Sequence, residues 1–422
     1  MNHWTKELTV TCWPVGQGLF TQADVRCGDR DFRIVYDCGT SSPQQHCWSA
    51  VHNLPPERLD LLVLSHYDLD HISGVAELLD HTGGTDRVWV PYIAPELRWL
   101  QAIRSALQAA DHSAPPTRMS DAAELVVAPE QWFARRGPSE ISRVGDPRKE
   151  GPDHPPPHGD RRSRQQFDAG PLLRRSDGLL VGSTAPWRQA FKTATWRTEW
   201  SLVTHPSTPD DAAVLILTWA KPGSGRWPVA ECRRRVARVL GVSEAELLAV
   251  DEPPGALIGR LQQVLGDEER RKRLRECYGS SDQAVNNRSL FLMVQAGTHP
   301  SEPWRLQDRV TGSPEWIEDR HHGVPTALWC GDAGAKVLEE LLAQANNGLR
   351  LRLGNTTVWG VPHHGSAGSY CAPFYRELGP ARAYLSAGHG RRKHPDPGVA
   401  YETRARVVTE FSQPGVWSMT WR

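Results

Sequence analysis

The chain has 422 residues, enough for roughly two or three average domains, and 39% of them are apolar, which allows a sizeable core. Its 49 basic and 49 acidic residues cancel, which excludes a global charge that would favour nucleic acid or a membrane surface. The longest apolar run, AAVLILTWA, is about half the length that a membrane span needs. Any site for a polyanion must therefore be local.

The first residues and the cysteines predict a cytoplasmic protein. The opening sequence MNHWTKELTV lacks the basic and apolar regions of a signal peptide. The eight cysteines form no CxxC pair, and a disulfide framework is not expected in a long chain without a signal peptide. We therefore expect free, mostly buried thiols.

The N-terminal third predicts strands that alternate with helices. The β-rich runs LTVTCWPVG and FRIVYDCGT end in turns with glycine, as in a hairpin-like pair. LDLLVLS is a short apolar run typical of a strand buried on both faces, and RVWVPYI predicts a further strand. ISGVAELLDHTGG and PELRWLQAIRSALQAAD have helical patterns. This alternation favours a layered α/β fold.

The middle of the chain, residues 93–284, has a different character. Residues 135–175 are rich in Pro, Gly and Arg, so we expect a flexible loop there. WSLVTHPS and AAVLILTWA predict two strands, and residues 228–277 are mostly helical. We interpret this region as an insertion, partly helical and partly disordered, between an N-terminal half at 1–92 and a C-terminal half at 285–422.

The C-terminal third returns to strands, several of which end in polar residues. The predicted strands are NNRSLFLMVQAG, TALWCGDAG, TTVWGVPHHGS, ARAYLSAGHG and GVWSMTWR. Helices are predicted at GAKVLEELLAQANNG and around YETRARVVTEF. The polar residues at or after the strand ends are Asp332, His363, His364, His389 and His394.

The densest group of metal-ligand residue types follows the strand LDLLVLS. In SHYDLDH, four such residues occupy six positions between that strand and a helix: His66, Asp68, Asp70 and His71. Residues 66, 68 and 70 project to one side of an extended loop, and His71 opens the helix beside them. Imidazole nitrogen and carboxylate oxygen together suit divalent metals such as Zn, Mn or Fe. The alternative is a polar loop without a ligand, which would bury many unpaired polar groups at high cost.

Residues from the C-terminal strands are expected to complete this site. Ligands of open α/β sheets bind at the carboxyl ends of the strands, where Asp332 and the pair His363 and His364 are also predicted to lie. Several strands that present nitrogen and oxygen ligands at one sheet edge would make a two-metal site, with the metals about 3.5–4 Å apart.

The ordered motifs VGQG, IVYDCG, SHYDLDHISGV, NNRSL, CGDAG, VPHHGS and HPDP resemble the metallo-β-lactamase superfamily. More narrowly, they are similar to the branch that includes the soluble DNase-like domain of ComEC-type DNA-uptake proteins. The resemblance spans residues 8–92 and 285–422 and leaves the middle unexplained. It implies an α/β fold of the αββα sandwich type, two sheets flanked by helices, with the metals at one edge.

Carried over residue by residue, the resemblance implies a ligand set for two divalent ions, zinc or manganese, with magnesium also admitted. The implied ligands are His66, Asp68, Asp70, His71, the bridging carboxylate Asp332, and one of His363 or His364, with His363 taken as the ligand. Asp37 matches an acidic position that usually supports the metal loop from behind.

The same resemblance implies the groups that act on a substrate. Asp70, His364 and His394 are the implied catalytic residues, with His394 near a leaving group or phosphate. If the substrate is a phosphodiester, Ser366 is a candidate phosphate contact. The basic run Arg391, Arg392 and Lys393, just before His394, is a candidate phosphate clamp, since Arg binds phosphate in a bidentate manner. A solvated basic turn is the alternative interpretation of that run.

The sequence departs from the superfamily pattern at three places. Asp68 replaces the second histidine of the commoner HxHxDH motif, and this harder oxygen donor tilts the preference toward manganese or magnesium without excluding zinc. NNRSL stands where many relatives have a histidine, so one metal site would be poorer in nitrogen ligands. Pro14 stands where relatives often have an Asp before VGQG.

Three functional hypotheses follow. The first is a metal-dependent phosphodiesterase that acts on nucleic acid, with DNA favoured, through a two-metal-activated water. The second is a metallohydrolase for a small ester, lactone or amide. The third is a metal-binding interaction module of a bacterial antiviral defence system, gated by a protein partner through residues 93–284.

Overall fold

The chain folds as an αββα sandwich, in which two sheets pack face to face and helices cover both outer faces. No helix in the residues described below is long and apolar enough to cross a membrane. The computed structural model describes residues 6–27, 30–111, 116–137, 140–144, 173–174, 179–182, 197–205, 208–220, 229–248, 255–278, 289–296, 305–308, 325–345, 350, 353–379, 381–389 and 394–421.

Seventeen strands are found in these ranges. In chain order they are β1 (Lys6–Cys12), β2 (Phe20–Cys27), β3 (Arg30–Cys38), β4 (Leu59–Val63), β5 (Thr85–Pro91), β6 (Glu140–Val144), β7 (Leu173–Arg174), β8 (Leu179–Gly182), β9 (Arg197–His205), β10 (Thr208–Ala220), β11 (Phe291–Ala296), β12 (Arg305–Asp308), β13 (Thr326–Trp329), β14 (Val358–Gly360), β15 (Arg382–Ser386), β16 (Arg406–Val408) and β17 (Gly415–Trp421).

The helices of the described residues, in chain order, are α1 (Gln44–His52), α2 (Leu69–Ile72), α3 (Val75–Thr82), α4 (Pro95–Asp111), α5 (Pro116–Val127), α6 (Pro129–Ala134), α7 (Val229–Leu240), α8 (Gly255–Gly266), α9 (Glu268–Glu276), α10 (Ala335–Gln344), α11 (Ala372–Glu377) and α12 (Pro397–Thr403). Two short 3₁₀ turns, Pro362–Gly365 and Ala367–Ser369, follow β14.

Each sheet has a parallel part, and these parts carry the site described below. The first sheet has the order β12-β17-β1-β2-β3-β4-β5-β6, in which β3 to β6 run parallel. The second has the order β16-β15-β14-β13-β11-β10-β9-β8-β7, in which β13 to β16 run parallel. Parallel strands present their carboxyl ends at one edge, where ligands bind in such sheets.

The core consists of three apolar layers, and β3 shows how the sequence creates them. Phe32, Ile34 and Tyr36 face the interior between the sheets, while Val35 and Cys38 pack against the helices on the outer face. Successive side chains of a strand point to opposite faces, so a strand that is apolar at nearly every position is buried on both sides.

Strands of the 93–284 region take part in both sheets. β6 forms the edge of the first sheet, and β7 to β10 extend the second sheet beyond β11. The predicted helical block corresponds to α7, α8 and α9. Within 135–175, residues 140–144 form β6 and 173–174 form β7, and residues 145–172 lie outside the described residues. The division of the chain after residues 92 and 284 stays a prediction.

Two sequence-based predictions of secondary structure were wrong. The two N-terminal runs do not pair with each other, because β2 lies between β1 and β3 and pairs with both. The predicted helix around YETRARVVTEF is α12 followed by a left-handed residue, Arg404 (φ 49°), and then strand β16. Val407 and Val408 are β-branched, which favours the strand.

The cysteines whose side chains the structure describes are free and buried, as expected; they are Cys12, Cys38, Cys47, Cys232, Cys277, Cys330 and Cys371.

Gly39, directly after β3, lets the chain lie against the backbone of the SHYDLDH segment. A Cβ atom here would lie 2.6 Å from the carbonyl carbon of His71 and from the nitrogen of Ile72. Because both obstacles are backbone atoms, Gly39→Ala is expected to shift this segment and to lower the free energy of unfolding by about 1–3 kcal/mol, measured by urea denaturation. The control is Gly259→Ala in α8, where a Cβ meets nothing within 4 Å. Equal stability of the two variants would contradict this close packing.

Candidate metal centre

The carboxyl ends of five parallel strands converge on one site, and each supplies a polar group. Asp37 lies near the end of β3 and SHYDLDH follows β4, while the other three strands belong to the second sheet. There, Asp332 follows β13, the His363 and His364 pair follows β14, and Ser386 ends β15. The site therefore lies where the two sheets meet.

Two groups of ligand-type side chains form here and share one histidine. The first contains His66, His71 and Asp332, the second Asp70, His71 and His364, and the ligand atoms within each group lie within 4.8 Å of one another. His71 Nε2 is 3.2 Å from Asp332 Oδ1 and 3.9 Å from Asp70 Oδ1. His66 Nε2 is 3.7 Å from Asp332 Oδ2, and His364 Nε2 is 3.2 Å from Asp70 Oδ2.

Asp37 and Ser65 hold the first two histidines from behind. The Asp37 carboxylate accepts hydrogen bonds from the Ser65 backbone N–H (2.6 Å), the Ser65 hydroxyl (2.6 Å) and His71 Nδ1–H (2.8 Å). The Ser65 hydroxyl donates to Asp37 and therefore accepts from His66 Nδ1–H at 2.8 Å. With Nδ1 occupied in this way, both rings turn Nε2 toward the cluster, which is how proteins orient metal-binding histidines.

His364 is oriented by the backbone of the second sheet. Its Nδ1–H donates to the carbonyl oxygen of Ser386 at 2.9 Å, so that Nε2 faces Asp70. His363 and His364 both have left-handed backbone conformations, with φ of 50° and 52°. Such conformations cost non-glycine residues about 1–3 kcal/mol each and are concentrated at functional sites. A hydrogen bond from the His363 N–H to the Gly331 carbonyl (3.0 Å) supports the turn.

The donor set fits a divalent metal ion. His66 Nε2, His71 Nε2 and Asp332 Oδ1 are buried, and none has a hydrogen-bond partner among the described residues. Buried polar atoms in proteins are nearly always paired, so three unpaired ones at one point indicate a missing partner. Imidazole lone pairs and carboxylate oxygens are all electron donors, so a cation fits as that partner, and mixed N and O donors suit Zn, Mn or Fe.

The charges of the site also favour a cation. Burial acts to raise the pKa of Asp332, but His363 and His71 outweigh it and hold the pKa well below its usual range. Burial acts in the same direction on Asp70, where His71 and His364 lower the pKa. Both carboxyl groups are therefore anionic at neutral pH, in a place with little water to stabilise them.

Asp68, a predicted ligand, belongs to neither group. Its carboxylate accepts hydrogen bonds from Arg104 Nη2 at 2.8 Å and from Gln101 Nε2 at 3.4 Å, both in α4. Its Oδ2 lies 3.9 Å from His66 Nε2. The carboxylate is therefore at the margin of the cluster and is held by a salt bridge.

Of the two late histidines, the geometry favours His364 as the ligand, whereas the sequence-based choice was His363. The His364 side chain is 4% exposed and faces Asp70, while that of His363 is 30% exposed and lies 3.6 Å from Asp332 Oδ2. The reason is the left-handed turn, which turns the second ring inward. The roles of both residues stay predictions.

His394 lies at the more open side of the site. Its ring stacks on that of His363 with centroids 5.3 Å apart, and its buried Nδ1 has no hydrogen-bond partner among the described residues. Burial, together with the charges of His363 and His364, lowers the pKa of His394 to about 4. The ring is thus neutral near pH 7 and can accept a proton or a hydrogen bond.

The predicted phosphate contacts lie outside the cluster or outside the described residues. Ser366 Oγ accepts the N–H of Gly368 at 3.3 Å, which caps the adjoining 3₁₀ turn. His389, predicted only as a polar residue after a strand, packs its ring against Phe411, with centroids 5.6 Å apart. Residues 391–393, namely Arg391, Arg392 and Lys393, lie outside the described residues.

Sequence reasoning missed several groups that support the site. Ser289, in the NNRSL motif where the resemblance would predict a histidine, accepts the backbone N–H of Asp332 at 3.0 Å. Gly331 (φ 51°) allows this approach, since a Cβ there would lie 2.9 Å from the Cβ of Ser289 and 2.8 Å from that of Ser65. A serine directly before HxDxDH was a visible signal for Ser65. Ser289 carried no such signal, because its contact joins distant parts of the chain.

A small cavity adjoins the two groups of ligands. It is lined in part by His71, Asp332, His363 and His364, and its volume is about 10 Å³. This is the space of about one water molecule. The site therefore has room for a single small group beside the ligands.

Residues 25–172, about a third of the chain, match the family model described as the metallo-beta-lactamase superfamily. This match and the two flanked sheets confirm the fold class predicted from the sequence, the metallo-β-lactamase sandwich. The ComEC-like branch stays a prediction. No curated protein matches the chain. The crystal structure of a long form RNase Z from yeast is similar at 10% identity, with 96% of this chain and 37% of that chain covered and a TM-score of 0.28. The chain thus spans little more than a third of that protein, and a TM-score of this size says nothing about substrate.

Proposed function

We propose that this protein is a divalent-metal-dependent hydrolase. The observation that carries the proposal is the convergence of three histidine Nε2 atoms and two carboxylates on one buried point, where two of these nitrogens and one carboxylate oxygen have no hydrogen-bond partner among the described residues. A divalent metal held by such ligands polarises a carbonyl or phosphoryl oxygen and lowers the pKa of water to near neutrality.

In this proposal the residues of the site bind the metal, balance its charge and leave one side open to a substrate. His66, His71 and His364 would bind the metal, while Asp70 and Asp332 would bind it and balance its charge. The fixed hydrogen bonds behind the histidines keep their rings in place without reorganisation. Because His71 and His66 are fully buried, a substrate is expected to approach from the more exposed side, where His363 and His394 lie.

For the substrate, we propose a phosphodiester of nucleic acid, with DNA favoured over RNA. The support for a phosphodiester is the pair of carboxylates, Asp70 and Asp332, among the ligand-type residues, since carboxylate oxygens suit the metals that bind phosphate oxygens. His394 would accept or donate a hydrogen bond at a substrate oxygen, since its ring is neutral near pH 7. The preference for DNA depends on the motif resemblance to the DNase-like branch alone.

The test combines metal analysis with cleavage assays. We expect the purified protein to bind Mn²⁺ or Zn²⁺ and to cleave plasmid or single-stranded DNA only when loaded. His364→Ala is expected to lose cleavage, whereas His52→Ala is expected to retain it, because His52 lies on the surface of α1 beside Glu77. RNA and a small carboxylic ester serve as competing substrates.

Each outcome decides between the three hypotheses. Hydrolysis of the ester without cleavage of nucleic acid would replace the nuclease with a small-molecule hydrolase. Bound metal without any hydrolysis would favour a module gated by a partner through residues 93–284. Absence of bound metal after reconstitution would overturn the proposal.

A further inference from the structure

One face of α4 contacts the SHYDLDH segment through four polar side chains. Gln101 and Arg104 bind the Asp68 carboxylate, as described above. Ser105 Oγ donates to the carbonyl of Tyr67 at 2.6 Å, and Gln108 Oε1 accepts the N–H of Leu69 at 3.0 Å. The spacing 101, 104, 105 and 108 is that of a single helix face. The segment on both sides of Asp68 is thus fixed by a helix outside the family motifs.

The contact between Arg104 and Asp68 is a buried ion pair. The Arg104 side chain is 11% exposed and that of Asp68 is 6% exposed, with 2.8 Å between Nη2 and Oδ2. Charge-assisted hydrogen bonds of this length are among the stronger ones in proteins. Separation of a buried pair leaves an uncompensated charge, so the pair resists opening.

His71 can bind an ion with only one of the two ligand groups at a time. Its Nδ1–H donates to Asp37, so Nε2 is its only free lone pair, and Nε2 faces both Asp332 and Asp70. If His71 binds an ion with the second group, the first retains His66 and Asp332 alone. Asp68 Oδ2 is a further donor beside His66, at 3.9 Å from its Nε2, and this is the oxygen that binds Arg104.

We propose that Arg104 is a positioning residue that holds Asp68 back from the metal and limits the chain to one firmly bound divalent ion. The guanidinium supplies at Asp68 the positive charge that a second ion would otherwise supply. This inference rests on the metal site of the proposed function and differs from the two ions expected from the sequence. It also connects the metal site to α4, and thereby to the 93–284 region.

The test is the number of metal ions per chain, measured by mass spectrometry after equilibration with a fixed free concentration of Mn²⁺ or Zn²⁺. We expect one ion in the wild type and two in Arg104→Met, because Asp68 is then released to complete the first group. The matched control is Arg98→Met on the same helix, whose guanidinium binds the Ile93 carbonyl instead; it is expected to hold one ion. Two ions in the wild type, or one ion in folded Arg104→Met, would overturn the proposal.

Asp68→Asn keeps the proposal testable if Arg104→Met does not fold. Because Asp68 is not a ligand of the firmly bound ion, this variant is expected to hold one ion, like the wild type. A fall in the ion count relative to the wild type would overturn the proposal. Absence of metal from the wild type would defeat this inference and the proposed function together. One bound ion without hydrolysis would defeat only the proposed function.

Discussion

His71→Ala is expected to lose metal binding and to reduce any hydrolysis to the metal-free background. His71 is the only residue common to both ligand groups, so its removal leaves each with two members. It also removes one of the three hydrogen-bond donors to Asp37, which is fully buried. Loss of one partner of a buried charged pair costs about 3–5 kcal/mol, so the free energy of unfolding is expected to fall as well.

The measurements are metal content, hydrolysis and chemical denaturation on the same preparation. His81→Ala is the matched control, because this histidine lies on α3 and binds the Leu54 carbonyl away from the centre. The control is expected to retain metal and activity. Wild-type metal content in folded His71→Ala would show that the two groups do not bind the metal through this ring.

Metal affinity is expected to rise about tenfold per pH unit below the pKa of His71, where an ion must displace one proton. Burial acts to lower the pKa of His71, but the carboxylates of Asp332, Asp37 and Asp70 outweigh it and hold the pKa well above the ordinary 6.5. Below that raised pKa a proton occupies the site and must leave before an ion can bind. The measurement is calorimetric titration with Mn²⁺ or Zn²⁺ at several pH values. An affinity that does not change with pH would contradict this competition.

The same shift predicts how the metal-free protein responds to pH. A histidine whose pKa is higher in the folded than in the unfolded state contributes stability that is fully present below the unfolded pKa. That contribution is lost as the pH rises through the folded pKa. The chelated protein is therefore expected to lose stability as the pH rises above about 6.5. The metal-bound protein is expected to become more stable than the chelated protein as the pH rises. Thermal denaturation with and without chelator measures this difference in stability.

Much of the fold was predictable because its signals are local. LDLLVLS became β4, RVWVPYI overlaps β5, and PELRWLQAIRSALQAAD became α4 with the same bounds. β2 was missed because its sequence, FTQADVRC, carries polar residues that break the apolar run, and its place in the sheet depends on two neighbours. β16 was missed because three residues are too few to outweigh the helical pattern before them.

The convergence of His66, Asp70 and His71 with Asp332 was predictable from residue type and strand ends. The choice between His363 and His364 was not, because it depends on two left-handed residues in a turn. The position of Asp68 was not predictable either, since a pattern that suits a metal also suits an arginine. The sequence of α4 did contain a signal for its contact with the SHYDLDH segment. Gln101, Arg104 and Ser105 are polar residues at helical spacing on a helix that is buried nearly all round.

Because the two sheets meet at this centre, a bound ion changes the conformational entropy of the whole unfolded chain. Asp70 and His364 are separated by 294 positions in sequence and follow strands of different sheets, β4 and β14. An ion bound by both closes a loop of that length, as a disulfide would, and the chain entropy removed from the unfolded state grows with the logarithm of loop length. Neither half of the chain can complete the site alone. Uptake of the ion therefore reports the moment at which the two ends of the chain have docked.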